Sequence, residues 1–153
     1  QRYPKAFETF KPVCKTNELS KCDAQSVING YDNALRYTDY FLNSVIETLK
    51  PYEQTYDVVM VYMSDHGESL GENNIYLHGL PYSIAPDAQK QVPLIIWSPS
   101  DNGIDAKSND KSSLTNMINQ PVSHDFITPT LLSFFNITTD EVAAAPTFFK
   151  PTT

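Results

Sequence analysis

Asp57-Val58-Val59-Met60-Val61-Tyr62-Met63 runs directly into Ser64-Asp65-His66-Gly67-Glu68-Ser69-Leu70-Gly71-Glu72, and Tyr76-Leu77-His78-Gly79 follows. The first stretch is a near-continuous apolar run, the pattern of a strand buried on both faces of a sheet. It ends on an acid, an imidazole and a glycine. Open α/β sheets bind their ligands at the carboxyl ends of strands, so this junction decides both the fold class and the place to look for chemistry. On a regular strand the side chains of Asp65 and His66 would point to opposite faces. A turn that includes Gly67 lets them converge on one point. A carboxylate and an imidazole form a ligand pair suited to zinc, and His78 is placed to handle a phosphoryl or leaving group. Taken alone, Asp-His-Gly is also an ordinary capped strand end, and a loop histidine is often a surface residue. Glu68 and Glu72 are candidates for extra ligands or supporting partners, but in an acidic chain they read first as solvated carboxylates.

Upstream of this junction the sequence reads as a long helix. Asp23 offers an N-cap, and Val27, Ile28, Tyr31, Leu35, Thr38, Leu42, Val45, Ile46 and Leu49 recur at spacings of three and four. Pro51 ends the helix. A helix feeding a buried strand is half of a β-α-β crossover. Residues 1–22 carry Pro4, Pro12, Cys14 and Cys22 without a sustained period and read as an irregular opening segment. The spacing of Cys14 and Cys22 suits a small disulfide-closed loop in an oxidising compartment; two reduced thiols of a cytosolic protein are the alternative.

Downstream, residues 64–91 read as a long loop with at most short turns, and loops of that length in compact domains tend to be functional. Val92-Pro93-Leu94-Ile95-Ile96-Trp97 is a second buried strand, with Pro93 near its start where a missing N–H is tolerated. Ser98 to Ser113 reads as a polar surface excursion. A last helix is expected over roughly Ser123 to Phe135, capped by Ser123 or Thr128, with His124 at its start suited to a capping or dipole role rather than ligation. The tail, 138–153, is expected to be ordered only by docking.

The composition sets limits on function. At 153 residues, 41% hydrophobic and 19% charged, the chain is globular in character and long enough for one domain with a real core. A formal charge of −7 argues against a nucleic-acid partner, which requires clustered lysine and arginine. No apolar run reaches the length of a membrane span.

Beyond the individual residues, the chain resembles a family. Ser64-Asp65-His66-Gly67-Glu68-Ser69-Leu70-Gly71-Glu72-Asn73, Tyr76-Leu77-His78-Gly79, Pro81-Tyr82, Ala85-Pro86 and Gln91-Val92-Pro93 are similar to the lipid A phosphoethanolamine transferases, which include the mobile colistin-resistance enzymes. Arg2-Tyr3-Pro4, Phe10-Lys11-Pro12-Val13-Cys14, Cys22, Tyr31-Asp32-Asn33-Ala34 and Val122-Ser123-His124-Asp125 extend the likeness over roughly residues 1–137. The resemblance implies a three-layer α/β/α fold of the alkaline phosphatase/sulfatase type, of which residues 1–153 would be a single partial catalytic domain from its carboxyl-terminal half. It implies a zinc enzyme at the periplasmic face of the inner membrane, tethered there by helices that this chain does not contain. Such an enzyme moves phosphoethanolamine from phosphatidylethanolamine to lipid A and confers polymyxin resistance. Asp65 and His66 match zinc ligands, and His78 matches a residue that contacts the phosphoryl group. The family's threonine nucleophile, a glutamate ligand and a further histidine match nothing here and fall upstream of Gln1. These 153 residues alone are therefore expected to bind zinc weakly and to lack turnover.

Two other readings stay open on sequence. One is a metal-dependent sulfatase or phosphatase of the same superfamily, since Asp-His pairs hold metals there too. The other is a noncatalytic metal-binding module, favoured by the shortness of the chain.

Overall fold

The computed structural model describes residues 2–99, 120–137 and 139–147. They fall into two compact units, Gln1–Pro51 with Met60–Ile96, and Tyr52–Val59 with Trp97–Thr153.

The spine of the first unit is the helix α1, Ala24–Leu49. It starts where Asp23 predicts: the Asp23 carboxylate accepts the Ser26 amide at 2.8 Å and the Ser26 hydroxyl at 2.6 Å. It runs to the residue before Lys50-Pro51, and the chain then tightens into a 3-10 turn over Lys50–Gln54. The buried positions of α1 differ from the expected apolar stripe. Val27 is buried as expected, but its companions are Ser26, Asn29 and Asn33, while Leu35 is exposed. The reason is the opening segment, which packs against this face through hydrogen bonds rather than through a purely apolar contact. Asn33 Oδ1 accepts the amides of Thr9 and Phe10, both at 2.9 Å, and Asn33 Nδ2 donates to Phe10 O at 2.9 Å. Asn29 Nδ2 donates to Pro12 O at 2.8 Å. Phe7 adds ring contacts with Tyr37 and Tyr40, at centroid separations of 5.0 and 5.1 Å. Tyr37 and Tyr40 of α1 thus pack against the opening segment.

Cys14 and Cys22 are joined in a disulfide. Cys14 N–H also donates to Ser26 O at 3.1 Å, which ties the closed loop to the first turn of α1.

The apolar runs give strands β1, Met60–Met63, and β4, Leu94–Trp97, hydrogen-bonded as neighbours. Both are shorter than their apolar runs. Met60 is buried, Ile95 is exposed and the other strand residues are half-buried, because each strand has a single partner among the described residues. Between them, the stretch expected to be loop contains a small antiparallel hairpin of β2, Ser69–Leu70, and β3, Tyr76–Leu77, followed by a short helix α2, Asp87–Lys90.

In the second unit, Ser123 starts the helical segment: its hydroxyl accepts the Asp125 amide at 3.2 Å. The first turn, His124–Phe126, is 3-10, and α3 continues as Ile127–Phe134 with Pro129 inside its first turn, where the missing amide has no intrahelical role. Thr128 lies within the helix and is not its cap. A further short helix, α4, Asp140–Ala144, begins where the Thr139 hydroxyl accepts the Val142 amide at 3.2 Å, and Val142 is buried. The expected excursion over 98–113 and the end of the tail lie almost wholly outside the described residues.

Candidate metal and phosphoryl site

Past β1 the backbone turns sharply. Ser64 Oγ donates to His66 O at 2.8 Å and the His66 amide donates to its neighbour's Asp65 Oδ1 at 3.1 Å. Gly67 N–H donates to Gln89 O at 3.0 Å. Gly67 has to be glycine for steric reasons, because a Cβ at this position would overlap the carbonyl oxygen of Ala88. The turn delivers the chain into the β2–β3 hairpin, where Ser69 pairs with Leu77 and Leu70 with Tyr76. Extending that antiparallel register one step outward sets Glu68 opposite His78. Tight geometry at the far side permits it: Gly71 has φ 122°, and Asn73 and Asn74 adopt left-handed conformations at 53° and 61°. Asparagine is among the residues that tolerate this region best.

The pairing brings three predicted or considered residues together. His78 Nδ1–H donates to Glu68 Oε2 at 2.9 Å, because a carboxylate can only accept. The rings of His66 and His78 lie face against face, with centroids 3.7 Å apart and 32° between planes. One ligand-capable atom from each of His66, Glu68 and His78 lies within 4.8 Å of the others. His66 Nδ1–H donates to Gly67 O at 2.9 Å, which leaves its Nε2 directed away from the backbone. That Nε2 is 3.7 Å from Asp65 Oδ2. Ligand atoms on one tetrahedral zinc with bonds of about 2.0–2.2 Å stand roughly 3.4 Å apart, so the Asp65–His66 separation is close to that of a shared ion. Asp65 is otherwise open to solvent, its side chain 88% exposed.

Glu68 is the residue that the sequence reading undervalued. Its side chain is only 10% exposed. Oε2 receives the His78 proton, whereas Oε1 is buried without a hydrogen-bond partner among the described residues. A carboxylate oxygen left this way costs more than the roughly 1–3 kcal/mol of a neutral orphan. A cation answers that cost directly. Tyr31 on α1 faces the same region: its phenol is raised above the usual range, first by burial, then by the negative charge of Glu68, with smaller contributions from Tyr62 and Asp32. It therefore stays a neutral hydroxyl beside the carboxylate. His66, Glu68 and His78 together offer nitrogen and oxygen donors of the kind that hold a metal ion, while Asp65 stands beside His66 alone. The sequence signal for Glu68 was the hairpin register, which only becomes visible once Ser69 and Leu77 are paired. His124 lies in the second unit, at a helix start.

Among the described residues no helix is long and apolar enough to cross a membrane. Comparison with known proteins places this turn in context. Phosphatidylethanolamine transferase Mcr-1 of Escherichia coli is 45% identical over 150 residues, 98% of this chain and 26% of that protein. The chain thus spans about a quarter of the length of the curated relatives it matches. The C-terminal periplasmic domain of phosphoethanolamine transferase EptC from Campylobacter jejuni superposes with a TM-score of 0.77 at 46% identity, covering 90% of this chain and 42% of that one. The integral membrane lipooligosaccharide phosphoethanolamine transferase A from Neisseria meningitidis gives a TM-score of 0.79 at 34% identity, covering 97% and 28%. The family model described as Sulfatase matches residues 1–137, a span that takes in β1, the Asp65–Gly67 turn, the hairpin and β4. With that span matched and the α/β arrangement shared, the chain belongs to the sulfatase family.

Proposed function

We propose that this chain supplies one wall of the active site of a zinc-dependent transferase that moves phosphoethanolamine from phosphatidylethanolamine to lipid A on the periplasmic side of the inner membrane. In this reading residues 1–153 are part of a single catalytic domain. The observation that carries it is the convergence of His66, Glu68 and His78, with Glu68 Oε1 buried and unpaired, in a chain similar along almost its whole length to Mcr-1.

Asp65 and His66 would hold zinc, with Glu68 Oε1 as a further candidate ligand. Zinc, when bound, offers positive charge that lowers the pKa of a hydroxyl nucleophile and offsets charge on the transferring phosphoryl group. The remaining work falls to the protein's side chains. Glu68 holds the Nδ1–H of His78, which fixes the ring's tautomer and leaves Nε2 as the working atom. His78 Nε2 is then suited to contact a phosphoryl oxygen and to carry the proton that the departing glyceride oxygen requires. In the balanced transfer, the bond from phosphorus to the diacylglycerol oxygen breaks, and a bond to the nucleophile oxygen forms. In the second step the bond from phosphorus to the nucleophile oxygen breaks as a lipid A phosphate oxygen bonds to phosphorus, and the nucleophile oxygen regains a proton.

The test is mass spectrometry of lipid A from cells expressing the full-length protein, with and without His66→Ala or Asp65→Ala. Loss of the added phosphoethanolamine in the variants is expected; an unchanged signal would remove the zinc assignment. A second reading, hydrolysis of a soluble sulfate or phosphate ester, is favoured by the sulfatase match alone. Release of sulfate or phosphate from such esters, with lipid A unaltered, would select it.

A further inference from the structure

We infer that Gln89 is a positioning residue for this site, acting through a clasp that grips the chain on both sides of Glu68. The inference rests on the metal-site reading above. Gln89 lies on α2, outside the ligand-bearing turn and hairpin, and is 7% exposed. Its backbone oxygen accepts the Gly67 amide at 3.0 Å. Its side-chain Nε2 donates to Ser69 Oγ at 3.0 Å, and Ser69 is completely buried. One residue therefore holds the positions immediately before and after Glu68. The approach is as close as it can be, because Gly67 lacks the Cβ that would strike the neighbouring Ala88 carbonyl.

The geometry explains what the clasp accomplishes. Glu68 lies at the point where the turn after β1 becomes β2, one residue before the paired stretch that begins at Ser69. Without an anchor on each side, rotation about its flanking bonds would let the carboxylate swing outward to water, where it is better solvated. With Gly67 and Ser69 fixed, the carboxylate stays inside, between His66 and His78. The clasp gives α2 a role in the site although none of its residues is in the ligand cluster. Outer-shell partners of this kind typically change metal affinity by about 10–100-fold when removed.

The experiment measures zinc affinity by chelator competition, together with the metal-free unfolding midpoint, in the full-length protein and three variants. Gln89→Met keeps the length of the side chain and loses the donor; Ser69→Ala removes the acceptor; the third variant combines them. Each single substitution is expected to weaken zinc binding by at least about 10-fold, and the double variant is expected to be no weaker than the worse single one, since all three break the same bond. If Gln89→Met is not recovered folded, Ser69→Ala carries the test. A lowered unfolding midpoint with zinc affinity equal to wild type would reduce the clasp to a stability element and overturn the inference. His66→Ala separates the two levels. If it leaves zinc affinity unchanged, the metal-site reading fails and the positioning role fails with it; if it abolishes binding while Gln89→Met and Ser69→Ala do not alter it, only the positioning role fails.

Discussion

Asn33 and Glu68 are both polar side chains withdrawn from water in the same unit, and they are treated in opposite ways. Asn33 is 0% exposed and uses its bonding capacity fully: the carbonyl oxygen accepts two amides and the Thr9 hydroxyl, while the amide nitrogen donates to Phe10 O and, at 3.4 Å, to the Tyr3 hydroxyl. Glu68 has one oxygen engaged by His78 and the other engaged by nothing among the described residues. A fully satisfied buried network rigidifies a fold, whereas a partly satisfied one is costly and calls for an explanation. The contrast separates fasteners such as Asn33 from Glu68, which the proposed function makes a working part.

The sharpest way to break the comparison is Glu68→Gln in the full-length protein. The amide is cheaper to bury than the carboxylate and is a poor metal ligand. Phosphoethanolamine transfer, followed by lipid A mass spectrometry, should fall by at least about 100-fold, while the metal-free unfolding midpoint stays level or rises. Wild-type transfer in that variant would move Glu68 out of the working parts. Asn33→Ala should do the reverse. It leaves two amides and a carbonyl of the opening segment without partners, and a loss of about 2–4 kcal/mol is expected in denaturant unfolding, with zinc affinity of the folded protein preserved. A loss below about 1 kcal/mol would mean that water or a rearranged segment replaces the amide. Replacing Cys14 and Cys22 by serine tests a covalent fastener on the same face. The loop it closes is short, and the chain-entropy account gives about 2–3 kcal/mol, checked by unfolding with and without reductant.

The smallest effect concerns the cap of α1. The Ser26 hydroxyl and then the Ser26 amide lower the Asp23 carboxyl below its usual range. Its folded-state value is depressed, so its contribution is present above the unfolded carboxylate value and is lost as pH falls through the folded one. Asp23→Ala should therefore produce a slight loss of stability at neutral pH that vanishes in acid; a difference independent of pH would point away from the carboxylate.

Much of this organisation was legible in the sequence. The long apolar period, Asp23 and Pro51 define α1 to within a residue or two, and the two apolar runs mark β1 and β4. The polar fasteners were not legible, because a pattern search scores Asn29 and Asn33 as breaks in the stripe, and only the packed opening segment makes them its centre. The hairpin escaped for a related reason. Two strands of two residues each cannot display alternation, and the glycine and asparagines between them read as loop. Asp65, His66 and His78 could be picked out by residue type at a strand end, and the structure puts both histidines in one cluster. Glu68 was only one of two candidate acids, read first as solvated, and Gln89 carried no signal, since the place of each depends on which backbone atoms face each other.

The hairpin also bears on how this part of the site comes into being. His66, Glu68 and His78 are joined by contacts between near neighbours in sequence, and the clasp closes across a separation of only 20 residues. Loops of that size cost little entropy to close, and hairpins form within roughly 1–10 μs. The His66–Glu68–His78 cluster therefore has low contact order: its members can meet before the distant parts of the chain have found their places, and later packing receives a preassembled wall rather than having to build one.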